Sequence, residues 1–209
     1  MRKPESNDPH SLELTKQVQT KLKQLSDKDP EIRRLAIQHL GQLGPIAAPA
    51  LPNLRSALSD SDFRIRLEAA IAIGFIGNQS ETPYLLTLLD DNVEAVRFQT
   101  ISAIAFLKDS KATPTLIRQY ELETIRVQDQ ILRALGHLGG PEAYSLLVRE
   151  LGAENPIVRT GAVVGLSFLG DSRATPLLKK VAETDSDEIV AHEARIALLH
   201  LQDVNQQGK

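Results

Sequence analysis

The sequence contains no cysteine and no tryptophan, and it has a single methionine. The absence of cysteine excludes disulfide bonds, thiolate metal sites, cysteine nucleophiles and a thioether link to this chain. Aromatic residues make up only 4% of the chain, although 42% of its residues are hydrophobic. The apolar content is therefore mostly Ala, Leu, Ile and Val, which suits the packing of helices against helices.

No block of charge and no long apolar run is present. The chain has 24 basic and 27 acidic residues, which are interspersed and give a formal net charge of −3. Without a basic stripe, we expect no nucleic-acid partner. No apolar run reaches about 18 residues, and residues 1–10 lack the apolar stretch of a signal peptide. We therefore expect a cytoplasmic protein without a membrane partner.

Enzyme motifs are missing as well. The sequence has no glycine-rich phosphate loop, no GxGxxG after a strand pattern and no GxSxG motif. The histidines form no HExxH motif and no pair at ligand spacing with a carboxylate. They are His10, His39, His137, His192 and His200. We predict no catalytic residue, no metal site and no cofactor.

What the sequence does contain is a repeat with a period of 31 residues. Four columns recur along it, one of leucine, one of proline that is broken by a serine, and two of apolar residues. They are Leu54, Leu85, Leu116, Leu147 and Leu178; Pro52, Pro83, Pro114, Ser145 and Pro176; Ile65, Val96, Val127, Val158 and Ile189; and Ile73, Ile104, Leu135, Leu166 and Ala197. Such self-similarity indicates stacked units whose apolar columns form one continuous core.

Each unit contains a short and a long helical pattern. In TPTLIRQY (113–120), Thr before Pro suits an N-cap followed by the first helical position. In FRIRLEAAIAIGFIG (63–77), apolar residues recur with helical periodicity and a glycine ends the pattern. Six helix pairs are predicted, at about 12–44, 45–77, 78–108, 109–139, 140–170 and 171–201. Residues 1–11 and 202–209 are polar and are predicted to be tails on a single repeat domain of residues 12–201.

The phrases DPEIRRLAIQHLGQLG (29–44), SDFRIRLEAAIAIGFIG (61–77) and NPIVRTGAVVGLSFLG (155–170) resemble HEAT repeats. They share an apolar residue, Arg, a run of small residues, and a final Leu-Gly or Ile-Gly. With its short period, the chain is most similar to the short HEAT-like repeats of the phycobilisome-lyase type. This resemblance implies an all-α fold, an α-α superhelix of the armadillo/HEAT-like solenoid class with about six helix pairs.

An arginine follows the Ile/Val column by one residue in four units. These residues are Arg33, Arg66, Arg97 and Arg159. In HEAT-like repeats an arginine at this position usually ties adjacent units through loop carboxylates or carbonyls, and a guanidinium has five donors for such bridging. The candidate carboxylate partners are Asp29, Asp60, Asp62 and Asp91.

A second stripe lies beside the core positions of each long helix. Its last slot carries a phenylalanine in AIGFIG, AIAFLK and GLSFLG, namely Phe75, Phe106 and Phe168. Because second helices line the concave surface of HEAT-like solenoids, we expect this stripe to form a binding groove. The other candidate groove residues are Arg126, Arg133, His137 and Arg195. The alternative is that each Phe packs between neighbouring helices as a core residue.

Two functions fit this pattern. The first is a non-catalytic scaffold that holds an apolar, acidic segment of a protein partner in the groove. The second, implied by the resemblance, is a bilin-handling factor similar to a phycobilin lyase subunit or a phycobilisome assembly or degradation factor. In that case a linear tetrapyrrole would lie over the phenylalanines and its propionates would pair with arginines. The protein partner would then be a phycobiliprotein or a second HEAT-like subunit.

Overall fold

The computed structural model describes residues 9–207, and the side chains of residues 12–203. Within this range every regular element is helical, and the predicted all-α fold is confirmed. The α-helices are α1 (Pro9–Gln24), α2 (Pro30–Leu43), α3 (Leu51–Ala57), α4 (Phe63–Ile76), α5 (Thr82–Leu86), α6 (Glu94–Leu107), α7 (Thr113–Tyr120), α8 (Ile125–Leu138), α9 (Pro141–Glu150), α10 (Pro156–Leu169), α11 (Thr175–Thr184) and α12 (Glu188–Gln207). They form six successive pairs, as the repeat predicts. Short 3-10 segments precede or follow several of the first helices.

Contacts divide the chain into two units, one that ends at Leu107 and one that begins at Lys108. In the first unit the second helices α2, α4 and α6 pack side by side, and in the second unit α8, α10 and α12 do the same. Helix α1 begins before the predicted boundary and α12 continues to Gln207, so helix extends into both predicted tails. The remainder of those tails, residues 1–8 and 208–209, lies outside the described residues. No helix of residues 9–207 is long and apolar enough to span a membrane.

The long helices begin at Asp and Asn caps. The carboxylate or amide oxygens of Asp29, Asp62 and Asn155 each accept the N–H of the residue two positions later, at 2.9 Å. This bond satisfies one of the backbone donors that a helix start leaves unpaired. The predicted Thr cap is wrong at Thr113, which lies inside α7. The capping bond is made earlier, by Asp109 to the N–H of Lys111, where it starts the 3-10 turn that leads into the helix.

The leucine column is the centre of the core. All five of its members are fully buried, as are four members of the Ile/Val column. Ile189 is the exception, because 67% of its surface is exposed while its neighbour Val190 is fully buried. The prediction that Ile189 is a core residue is therefore wrong. The helix caps explain why the buried position moves from Ile189 to Val190. Asp187 caps α12 and lies 32 residues after Asn155, so the last repeat is one residue longer than the period.

Candidate binding face on the second helices

One stripe of each second helix lies beside its core positions, and we call this stripe the second-helix face. Its members are Glu31, Leu35, Gln38 and Gln42 on α2; Arg64, Glu68, Ile71 and Phe75 on α4; Ala95, Gln99, Ser102 and Phe106 on α6; Arg126, Gln130, Arg133 and His137 on α8; Ile157, Gly161, Val164 and Phe168 on α10; and Ile189, Glu193, Ile196 and His200 on α12. These residues are exposed or partly exposed except Gly161, which is buried.

The three phenylalanines of the repeated phrase lie on this face and not in the core. Their exposed fractions are 51% for Phe75, 61% for Phe106 and 44% for Phe168. In the first unit, the rings of Phe75 and Phe106 contact each other with centroids 5.3 Å apart and planes tilted by 47°. Tilted and offset ring pairs at such distances are favourable. The pair therefore forms an ordered apolar surface that is open to solvent.

A pocket of about 510 Å³ lies beside Phe75, between α2 and α4. Small residues at Gly41 and Ala72 form its floor, since a Cβ at Gly41 would lie 3.3 Å from the Ala72 Cβ. The remaining lining residues are Gln38, Gln42, Glu68, Ile71 and Phe75. The pocket thus combines an aromatic wall with amide and carboxylate oxygens.

Ion pairs hold the charged side chains at the rim of this pocket. Arg34 donates to Glu31 at 2.6 Å and to Oε1 of Glu68 at 3.3 Å. One helix further, Arg64 binds Asp62 at 2.6 Å, and this hydrogen bond lowers the pKa of Asp62 to about 2. Because three of these five side chains are acidic and two are basic, this part of the face carries a net negative charge.

In the second unit, His137 occupies the slot that holds phenylalanine in α10. Its ring stacks on Phe168 with centroids 4.1 Å apart and an interplanar angle of 21°. Partial desolvation of the exposed ring, and secondarily the charge of Lys108, lowers the pKa of His137 below its ordinary value. The stack is possible because α8 and α10 approach closely at glycines. A Cβ on Gly136 would lie 2.8 Å from the Cα of Gly165.

The arginines of α8 form the basic part of the second unit's face. Arg133 donates to both oxygens of Asp129 at 2.9 and 3.0 Å, and it remains about one third exposed. Arg126 lies two turns earlier and is exposed. Apolar side chains occupy the neighbouring helices, with Ile157 on α10 and Ile196 on α12 both exposed. The result is an apolar surface with a basic edge.

The last repeat is one residue longer than the period, and this changes which residues of α12 belong to this face. His200 takes the slot of Phe168, and its Nδ1 lies 3.1 Å from the hydroxyl of Ser167. Ile189 and Ile196 also belong to the face, although the fixed period did not identify any of the three. Arg195 is exposed and precedes Ile196 by one residue, which places it about 100° around α12 from that member of the face. The equivalent positions of α10 and α12 are found by aligning their cap residues, Asn155 and Asp187. A fixed spacing of 31 residues does not give them.

The second-helix face offers surfaces suited to binding. Among the described side chains, no group of three or more His, Asp or Glu residues is placed to hold a metal ion. The face of the first unit offers aromatic rings, amides and a carboxylate. The face of the second unit offers aliphatic and aromatic side chains beside arginines. Both surfaces can exclude water from a ligand and orient it with polar groups.

Comparison with solved structures shows the same fold in several repeat proteins. An engineered protein matches with a TM-score of 0.59 at 21% identity, over 90% of this chain and 97% of the other. A designed armadillo repeat protein in complex with the peptide (KR)4 matches with a TM-score of 0.59 at 22% identity, over 90% and 99% of the two chains. The complex of CpcE and CpcF of phycocyanin lyase from Nostoc sp. PCC7120 matches with a TM-score of 0.52 at 21% identity, over 91% and 94%. These likenesses show the armadillo/HEAT-like solenoid class.

Comparison with curated protein sequences gives no match. The sequence profile of HEAT repeats, by contrast, matches residues 18–105 and 113–199, which together are most of the chain. These two segments contain the leucine, Ile/Val and arginine columns and nearly all of the second-helix face. The chain therefore belongs to the HEAT-repeat family.

Proposed function

We propose that this protein is a non-catalytic binding module that holds a segment of a protein partner against its second-helix face. The observation that carries the proposal is the exposure of large apolar side chains along the second helices of each unit. Phe75 and Phe106 are exposed in the first unit, and Ile157, Phe168 and Ile189 in the second. Contiguous exposed apolar side chains with polar edges are typical of protein interaction sites.

The chemistry of the face indicates what such a partner would carry. Apolar side chains would fill the spaces beside the phenylalanines, because ordered aromatic rings are frequent anchors in interfaces. In the second unit, Arg126 and Arg133 favour an acidic segment, in agreement with the sequence-based hypothesis. A phycobiliprotein or a second HEAT-like subunit fits this description. The similarly folded CpcE and CpcF are themselves found as a complex of two proteins.

The test replaces Phe106 with Glu and compares it with two control variants. Phe106→Glu should change the free energy of unfolding by less than about 1 kcal/mol, because the new carboxylate stays in water. Ile104→Glu, on the same helix but at a fully buried position, should cost about 3–5 kcal/mol or prevent folding. Leu122→Glu, in an exposed turn outside the face, is the matched control for binding.

The binding assay is affinity capture from cells that contain the partner, followed by titration of the identified partner. Phe106→Glu should lose the partner that the wild type and Leu122→Glu retain. Arg133→Ala is a second probe, since it removes a cation of the face without removing a core contact, and it should weaken binding. Equal binding by Phe106→Glu, Arg133→Ala and wild type would exclude this face from the function.

A second candidate function is bilin handling, and the stack of His137 on Phe168 favours it. Two flat rings 4.1 Å apart, with Arg133 one turn earlier on α8, resemble a surface for a planar pigment with propionate groups. Under this hypothesis the protein would be a lyase subunit or a phycobilisome assembly or degradation factor. The test is the visible absorbance of protein purified from bilin-producing cells. A coloured preparation that loses its colour in Arg133→Ala would support this candidate, and a colourless one would exclude it.

A further inference from the structure

We infer that the pocket between α2 and α4 binds the guanidinium group of an arginine side chain from the partner. This inference deepens the proposed function, because the pocket belongs to the second-helix face of the first unit. Its lining contains a carboxylate, two carboxamides and an aromatic ring, and Arg34 at the rim contacts that carboxylate at 3.3 Å. A ligand that donates several hydrogen bonds and carries positive charge matches such a lining.

The polar groups of the pocket are available for a ligand. Within the described part of the chain, the side chains of Gln38 and Gln42 make no hydrogen bond, and both are exposed. They lie one turn apart on α2, so their amide oxygens line the same wall. Glu68 receives its one described hydrogen bond from Arg34, at Oε1, at 3.3 Å. Arg34 is engaged more closely by Glu31, at 2.6 Å, and so leaves Glu68 with capacity for a further donor.

Elsewhere in the chain, an aromatic ring, a carboxylate and a guanidinium already come together in one site. Arg55 lies 4.3 Å above the centroid of the Tyr84 ring, and it donates to both oxygens of Glu81 at 2.6 and 2.8 Å. This site combines an aromatic face, a carboxylate and a guanidinium. In the pocket, Phe75 and Glu68 lie two turns apart on one side of α4 and supply the first two members. Arg34 contacts Glu68 from the rim but does not line the pocket, so a guanidinium from the partner would supply the member that stacks on Phe75.

Arginine fits better than lysine for geometric reasons. The guanidinium is planar, so it can stack on the half-exposed ring of Phe75 while its edges donate to Glu68 and Gln42. A lysine ammonium is a point charge that keeps its water more strongly and cannot donate in a plane. The aliphatic part of an arginine would pack on Ile71 and on the floor at Ala72. The volume of about 510 Å³ is ample for one such side chain.

The experiment is an NMR titration of the full, isotope-labelled chain with three small probes. They are N-acetyl-arginine amide, N-acetyl-lysine amide and N-acetyl-citrulline amide, which is the uncharged match of arginine. The arginine probe should shift the side-chain amide signals of Gln38 and Gln42 and the backbone signal of Gly41. We expect it to bind about tenfold more tightly than the citrulline probe, which lacks the charge. Equal affinity for arginine and citrulline, tighter binding of lysine, or no binding of any probe would each overturn the inference.

Variants locate the effect in the pocket. Glu68→Gln should reduce the preference for arginine over citrulline to about twofold or less, since it removes the charge at the same shape. Phe75→Leu should weaken the arginine probe and keeps the inference testable if Glu68→Gln fails to fold. Glu183→Gln, the same change at an exposed glutamate of α11 outside the second-helix face, is the control and should alter nothing. An unchanged preference in both Glu68→Gln and Phe75→Leu would overturn the inference.

Failure of this inference and failure of the proposed function give different results. If Phe106→Glu loses the partner but no probe prefers arginine, only the guanidinium site is wrong. If the arginine probe binds at the pocket but Phe106→Glu and Leu122→Glu capture the partner equally well, the face is not the partner's docking surface, and the cation site stands alone.

Discussion

Arg159 on α10 donates two hydrogen bonds of 2.8 Å, one to each carboxylate oxygen of Asp185 at the end of α11. The same arginine donates to the backbone carbonyl of Ala153 in its own unit at 2.9 Å. It thereby ties one repeat to the connection of the next, and both side chains are largely buried. Arg33 makes the equivalent pair with Asp60, and Arg66 makes it with Asp91.

Replacing Arg159 with alanine should lower the free energy of unfolding by about 2–4 kcal/mol, because it leaves the largely buried Asp185 carboxylate without its partner. Urea unfolding at pH 7 measures this difference. The matched control is Arg173→Ala, which breaks an ion pair with Asp171 between residues two apart. Since the Arg173 side chain is 67% exposed, that change should cost much less than the loss of Arg159. Similar losses in the two variants would contradict a special role for the inter-repeat pair.

The same pair predicts a loss of stability in acid. The hydrogen bond from Arg159 is the main cause that lowers the pKa of Asp185 below its ordinary value. A carboxyl whose pKa is lowered on folding stabilises the folded protein at pH values above its unfolded pKa of about 3.9. This stabilisation is lost as the pH falls through the pKa of the folded state. Urea midpoints measured from pH 6 downward should therefore decline more in the wild type than in Asp185→Asn. Parallel curves for the two proteins would contradict this linkage.

The arginine ties show how far sequence reasoning reaches. Asp60 and Asp91 were among the candidate partners and do bind Arg33 and Arg66, because both lie in loops at the repeat spacing. Asp29 and Asp62, which precede Arg33 and Arg66 by four residues, cap helices instead. Local hydrogen bonding to the backbone competes with the inter-repeat contact, and a residue list does not decide between them.

The register of the last unit could not be obtained from a fixed period. One extra residue before α12 rotates every following side chain by about 100° around the helix axis. Ile189 then moves from the expected core position to the second-helix face, and Val190 takes its place in the core. The repeat shows that the three phenylalanines occupy equivalent positions. It does not show whether they are exposed, because a position beside the core is buried or exposed according to how far apart the neighbouring helices lie. The structure gives their exposure directly.

Leu116 tests the core that the sequence predicted. It is fully buried, so Leu116→Ala should leave a cavity and destabilise the protein by about 2–5 kcal/mol. Leu122→Ala is the matched control, since Leu122 is 79% exposed and six residues away. It should change stability by less than about 0.5 kcal/mol. Thermal and urea unfolding of the two variants measure the difference, and an unchanged midpoint in Leu116→Ala would remove the leucine column from the core.

The pKa of His137 tests the stacked arrangement in the second unit. Partial desolvation of the ring, and then the charge of Lys108, lowers this pKa. A proton-detected NMR titration of the ring signals should therefore give a value below the ordinary value of about 6.5. Phe168→Ala should raise it by admitting water, and Lys108→Gln should raise it by a smaller amount. A titration at or above the ordinary value in the wild type would contradict the stack.

The sign of this shift has a consequence for both stability and binding. Because the unfolded chain takes up the proton first, stability contributed by neutral His137 is complete above its unfolded pKa and is lost as the pH falls from there through the folded value. At pH 7 the lowered pKa leaves the ring mostly neutral in the folded protein, and under the proposed function it would contact a ligand by stacking beside Arg126 and Arg133. Partner binding through this face should then be unchanged between pH 7 and 8. Loss of affinity over that interval would show that a charged His137, and not a stacked neutral ring, contacts the partner.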